Sequence, residues 1–176
     1  MKKIMIASLK SILVFTLLCG VVYTVAVTLV GQVVFSAQAN GSLVKKQEAG
    51  KTVVIGSKLI GQSFVGDGYL HGRPSEVSQL SPVSKEQKER VEKRVEKIAA
   101  TDIPVDLVTA SASGVDPEIS VEGALFQSER IAAARNMKKE DVHAIIKQNI
   151  IGMKIGGITS QRVNVLGVNH MLDESE

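Results

Sequence analysis

The chain has 176 residues, 44% hydrophobic and 22% charged, with 21 basic against 18 acidic side chains, one cysteine, no tryptophan, two tyrosines and four phenylalanines. Without Lys2, Lys3 and Lys10 the remaining residues carry 18 basic against 18 acidic groups, so the pI near 9.0 reports the N-terminal flank. A neutral remainder so poor in aromatic rings sets nucleic acid aside as a partner, and the lone Cys19 leaves no intrachain disulfide to form.

Ser11 to Val44 carries no charge, and its apolar part, Ser11 to Phe35, is about 25 residues, a helix of about 37 Å against a hydrocarbon core of about 30 Å. One tilted transmembrane span over 11–35 fits. Residues 1–10 form a basic flank and the next lysines are Lys45 and Lys46, so the positive-inside bias predicts a cytoplasmic N-terminus and an extracytoplasmic segment 36–176. Ala37-Gln38-Ala39 fits a signal-peptide cleavage pattern, but the apolar run exceeds the about 7–15 residues of a signal h-region. Cys19 follows bulky Leu18 and apolar sequence continues beyond it, so it reads as a membrane-buried small hydrophobe rather than a lipid-attachment site. Gly20, Thr24 and Thr28 recur at spacing four with Gly31 close by, a stripe suited to close helix approach, although small residues are common in spans generally.

Beyond the span, roughly 130 residues suit a single domain with one ordinary core. Thr52 to Ile55 is a β-branched strand ended by Gly56, and a long loop punctuated by Gly61, Gly66, Gly68, Gly72, Pro74 and Pro82 follows. Ser84-Lys85-Glu86-Gln87 is a capping box, after which Val91, Val95 and Ile98 repeat at helical spacing until Asp102-Ile103-Pro104. The other face of that helix offers Glu86–Arg90 and Glu89–Lys93 as pairs four residues apart. Pro104 to Thr109 reads as a buried strand carrying Asp106, Ser111 to Ile119 as a turn-rich link, and Ser120 as the cap of a helix running to about Arg135. Asn136 suits a left-handed helix end, and a further helix follows with Val142, Ile145 and Ile146 on its buried stripe. Gly156 and Gly157 predict a turn and Gln161 to Val168 a closing strand. The order of elements predicts an α+β domain with a short sheet and about three helices.

Common catalytic signatures fail on inspection. Gly50-Lys51-Thr52 ends like a phosphate-binding loop, but Lys45 stands where its first glycine is needed. Ser42-Leu43-Val44-Lys45 matches a Ser-x-x-Lys pattern without its companion elements. His71, His143 and His170 are too widely spaced for a closed metal site, and His143 falls on what reads as a solvated helix face. There is no Gly-x-Ser-x-Gly elbow and no Asp-Lys-Thr-Gly phosphorylation sequence.

What remains is a series of polar and glycine-rich signatures: Gln38-Ala39-Asn40-Gly41-Ser42-Leu43, Gly56-Ser57-Lys58-Leu59-Ile60-Gly61-Gln62-Ser63-Phe64, Tyr69 to Ser75 ending Gly72-Arg73-Pro74-Ser75, Pro104 to Ser113 with Gly114-Val115-Asp116-Pro117, Gln127 and Arg130 before Ala133-Ala134-Arg135, and Arg162-Val163-Asn164-Val165-Leu166 with Asn169. Six such segments in order, behind one N-terminal span, resemble the KdpC subunit family of the bacterial Kdp potassium-transporting P-type ATPase. The resemblance implies an accessory, non-catalytic subunit of a high-affinity ATP-driven potassium uptake complex in the plasma membrane. Its partners would be a channel-like potassium-binding subunit and a P-type ATPase subunit, and the resemblance allows a further small membrane subunit besides the lipid bilayer. It implies no cofactor on this chain; ATP, magnesium and potassium are used by the partner subunits. Without the resemblance, the competing reading is a stand-alone membrane-anchored extracytoplasmic binding or cell-envelope protein.

Within the matched segments, Arg73, Arg130, Arg135 and Arg162 are interface candidates because a guanidinium bridges carboxylates and carbonyls. An internal pair with Asp106 or Asp116 accounts for them equally well. Gln62 is a further interface candidate, and Gln127 and Asn164 could bind a partner's backbone or tie their own loops, with the latter favoured. Gly61, Gly72 and Gly114 are expected as turn glycines at positive φ. The chain departs from the family pattern at Glu76 to Ser84, where a Gly-, Ser- and Asn-rich segment is usual, at Glu118, where histidine is common, and at Asn149-Ile150, where His-Thr is common.

Overall fold

A computed structural model describes residues 1–48, 50–155 and 158–175. One helix, Lys2–Val34, takes in the three N-terminal lysines and most of the uncharged run and is long and apolar enough to cross a membrane. It comprises α1 (Lys2–Leu17), a π-helical turn (Leu18–Tyr23) and α2 (Thr24–Val34), and a single turn α3 (Ser36–Ala39) follows. None of its residues is buried in the protein. An apolar helix with every face uncovered is suited to lipid rather than water.

The chain divides into two compact units, Met1–Leu43 and Val44–Glu176. The second is the α+β domain. β1 (Leu43–Glu48) pairs with β2 (Lys51–Ser57), which contains the predicted strand. β1 lacked a signal because Lys45, Lys46 and Gln47 break any apolar alternation. After the long loop, α4 (Lys85–Ile98) is capped by Ser84, whose side chain accepts from Gln87 N–H at 3.2 Å. The reciprocal half of the box does not form, since Gln87 Oε1 accepts from Ser78 Oγ at 2.9 Å instead. The ion pairs along this helix are Lys85–Glu89 and Lys88–Glu92 rather than the two expected.

Pro104 to Thr109 is not a strand. Val105–Val108 forms one helical turn, α5, favoured by Asp106 in its first turn and closed by Thr109 Oγ1 donating to the Val105 carbonyl at 2.7 Å. The turn-rich link ends in β3 (Glu118–Ser120), and Ser120 caps α6 (Val121–Phe126) by accepting from Gly123 N–H at 3.0 Å. The helix expected to reach Arg135 breaks at Gln127, and α7 (Ser128–Arg135) begins anew and ends on Asn136 at φ 53°. α8 (Lys139–Gln148) buries Val142, Ile145 and Ile146 as predicted.

β4 (Ile150–Ile151) is followed by β5 (Lys154–Ile155) paired with β6 (Ile158–Thr159); the turn expected at Gly156-Gly157 lies outside the described residues. β7 (Arg162–Asn164) is the middle strand of an antiparallel β3-β7-β4 sheet, with Val163 opposite both Ile119 and Ile150. The closing strand stops at Asn164, because its side chain accepts from Gly167 N–H at 2.9 Å and starts α9 (Val165–Glu174). Val163 and Val165 alternate as in a strand, but Val165, Val168 and Leu172 recur at helical spacing. These last three pack with Leu70, Ile119, Ile131, Val142, Ile146 and Val163 into the core.

Candidate functional site

The signature residues meet around the long loop. Leu70 is completely buried, although it lies in a segment without regular structure, so its main-chain groups need partners. Asn169 on α9 supplies both: its Oδ1 accepts from Leu70 N–H at 2.8 Å and its Nδ2 donates to the Leu70 carbonyl at 2.9 Å. Gln127, at the α6–α7 break, does the same for His71, at 2.9 Å in each direction. Two side-chain carboxamides thus replace the neighbouring strand that this loop lacks.

Two arginines extend the clamp. Arg130 donates to the Tyr69 carbonyl at 3.0 Å, to Gln127 Oε1 at 2.8 Å and to the Asp67 carbonyl at 2.5 Å. Arg135 donates to the Gly68 carbonyl at 2.6 Å, to Leu172 O at 3.1 Å and to Asp173 Oδ1 at 2.8 Å, with its guanidinium 4.7 Å from the Tyr69 ring centroid. Tyr69 in turn packs on Phe64 at 5.6 Å. His71 Nε2 lies 3.0 Å from the Gly66 carbonyl, and burial, helped by the Arg130 charge, lowers the pKa of this imidazole. Burial also lowers the pKa of Arg130, against the opposing pull of Asp67.

Held this way, residues 71–75 form one wall of a cleft of about 260 Å³ whose other walls are Gly61–Phe64, Gly114–Pro117 and Val165-Leu166. Arg73 crosses between walls, donating to the Ala110 carbonyl at 3.1 Å and to the Asp116 carboxylate at 3.5 Å. Asp116 also accepts from Glu118 N–H at 3.1 Å. Asp106 lies apart from Arg73 in this network and accepts from Ser120 N–H at 2.7 Å. Gln62 Nε2 donates to the Ile55 carbonyl at 3.1 Å, and Asn164 Nδ2 to the Lys58 carbonyl at 3.0 Å. Arg162 is exposed and bonds the neighbouring Gln161 carbonyl.

Of the three signature glycines, Gly114 alone has the expected positive φ, at 70°. Gly61 is required for closeness instead, since a Cβ there would overlap the Asp116 carbonyl, and Gly61 N–H donates to Val115 O at 2.7 Å. Gly72 has room for a Cβ, 3.5 Å from Val165 Cγ2. His143 is not on a solvated face: its Nε2 is 2.8 Å from Ser128 Oγ, whose side chain also donates to Leu125 O. Asn169 holds the loop, a role that the signatures alone do not assign to it. Its signal was available, because an amide inside the apolar stripe of a helix must find buried partners.

Gly20, Thr24 and Thr28 lie in the other unit, with Gly20 inside the π-helical turn. Thr24 Oγ1 donates to the Cys19 carbonyl at 3.3 Å, five residues back, as the wider turn permits. Among the described residues, no group of three or more His, Cys, Asp or Glu is placed to hold a metal ion.

Fold and site together define a small α+β domain carried behind one helix long and apolar enough to cross a membrane, with its signature polar side chains clamping a loop against the core. Comparison with known proteins supplies the family. Residues 5–174 match the family model described as KdpC, the c chain of K+-transporting ATPase. Potassium-transporting ATPase KdpC subunits from Methylibium petroleiphilum, Bradyrhizobium diazoefficiens and Clostridium perfringens are 44%, 41% and 40% identical to it, over 98%, 93% and 97% of both chains. The chain belongs to the KdpC family, and is therefore a subunit of a potassium-transporting ATPase complex.

Proposed function

We propose that this chain is an accessory, non-catalytic subunit whose extracytoplasmic domain binds the channel-like and ATP-hydrolysing subunits of the complex and supports their assembly and turnover. The observation that carries this reading is where the signature side chains go. Gln127, Arg130, Arg135 and Asn169 fix one loop by hydrogen bonds to its main chain, which builds a defined surface. A catalytic centre needs instead a nucleophile, a base and a charge-stabilising group converging on one reacting atom. The cleft bounded by Gly61–Phe64 and Gly114–Pro117 is the part of that surface with the shape to receive a partner's side chains.

Orientation follows from the lysines before the span and is part of the proposal. Protease added to intact spheroplasts should remove the domain, and protection of the domain would reverse the orientation. The assembly role is tested at Val115, which lines the cleft and is half exposed. Val115→Glu should leave the domain folded while reducing co-purification of the partner subunits. Undiminished co-purification would remove the cleft from the interface.

A further inference from the structure

The β1–β2 hairpin is sparsely covered by the rest of the second unit. Of β1 only Val44 is buried, and Lys51 to Val54 of β2 are all exposed. A lone two-stranded hairpin is marginal in water, so this one needs a surface to lie on. Its charge says which kind. Residues 43–58 carry Lys45, Lys46, Lys51 and Lys58 against Glu48, a net +3, whereas residues 59–176 carry 14 basic and 17 acidic side chains, a net −3. The stretch that follows the span is therefore net basic, and the rest of the domain is net acidic.

Apolar side chains accompany these lysines. Val53, Val54, Leu59 and Ile60 are 41–63% exposed. Lysines beside exposed aliphatic groups suit a membrane interface, whereas the centres of protein–protein interfaces are depleted in lysine. Only Asn40 to Ser42 separate α3 from β1, at most about 10 Å of extended chain, so the start of the hairpin is tethered close to the end of the span.

We propose that the β1–β2 hairpin, with Leu59 and Ile60, lies on the anionic phospholipid headgroups of the bilayer that the chain itself spans. The lysines face the phosphates and the aliphatic side chains enter the interface. The proposal holds for either orientation of the span and is independent of the assembly role. It can therefore fail while that role stands.

The test uses the full chain alone in nanodiscs, in a Cys19→Ser background with a fluorophore on Val54→Cys and, separately, on Ile60→Cys. Lipids carrying a headgroup nitroxide quench whatever lies in the interface. Both labels should be quenched in phosphatidylglycerol-containing discs and far less in pure phosphatidylcholine, while a label on Val83→Cys, which is 93% exposed, serves as the solvent reference. Each lysine near an anionic surface favours contact by about fivefold, so replacing Lys45, Lys46 and Lys51 with Gln should weaken docking about a hundredfold and abolish the quenching. Quenching equal in the two lipids, quenching no greater than at Val83, or quenching that appears only with partner subunits present would each overturn the proposal.

Discussion

Asn169→Ala isolates the contribution of the loop clamp. The carboxamide pairs with the N–H and the carbonyl of Leu70, and the two residues are 1% and 0% exposed, so water cannot replace it. Truncation leaves one buried donor and one buried acceptor unpaired, at about 1–3 kcal/mol each, for a total of about 2–6 kcal/mol. Against a domain stability of about 5–15 kcal/mol, that is enough to release the loop or unfold the domain. The chain has no tryptophan and only Tyr23 and Tyr69, so tyrosine fluorescence reports the span and the clamped loop, while far-UV dichroism reports the helices. Thermal unfolding of the full chain in mild detergent should show the midpoint lowered by about 10 °C or more by both probes. Asn169→Asp adds a check with a defined sign. A carboxylate there would face the Leu70 carbonyl without a proton to donate, which raises its folded pKa; the variant is therefore least stable at neutral pH and recovers as pH falls through that pKa. A change below about 0.5 kcal/mol in Asn169→Ala, the range of an ordinary surface substitution, would refute the clamp as a structural necessity.

Three further outcomes follow from the same geometry. Gly61→Ala forces a Cβ onto the Asp116 carbonyl and should cost about 1–3 kcal/mol in denaturant unfolding, whereas Gly72→Ala, with open space beside Val165, should change stability by less than about 0.5 kcal/mol. Arg135→Lys replaces a planar fork serving Gly68, Leu172 and Asp173 with a single ammonium, and thermal unfolding should show a loss of about 1–3 kcal/mol; an unchanged midpoint would contradict it. His71 has a folded pKa depressed below 6.5 by burial and by Arg130, so its contribution is complete above the unfolded pKa and is lost as pH falls through the folded one. Midpoints measured from neutral to mildly acid pH should fall less steeply in His71→Asn than in the parent chain, and identical slopes would contradict the assignment.

Local signals in the sequence located the elements whose ends are fixed locally. Ser84, Ser120 and Asn136 were legible because caps act over three or four residues. The buried stripe of α8 was legible because its period is unambiguous. Elements decided by distant contacts were not. The α6–α7 break occurs without proline or glycine, where the Gln127 side chain turns to His71, fifty-six residues away in sequence. α5 reads as a strand because three apolar residues with one acid fit a strand or a turn of helix equally. In the site, the residue types were legible from the signatures, but the division of labour was not. Arg73 reaches Asp116 and not Asp106, and Asn169 carries as much of the loop as Gln127. Such pairings depend on which backbone groups the fold buries.

The assembly role is tested most directly by affinity purification of the tagged full chain from its native membranes in mild detergent, with the eluted proteins identified and ATP hydrolysis measured with and without potassium. The account predicts co-elution of a channel-like membrane protein and a P-type ATPase, with potassium-stimulated hydrolysis in that fraction and none in the chain separated from its partners. A chain that elutes alone, or hydrolysis that stays with the separated chain, would contradict it.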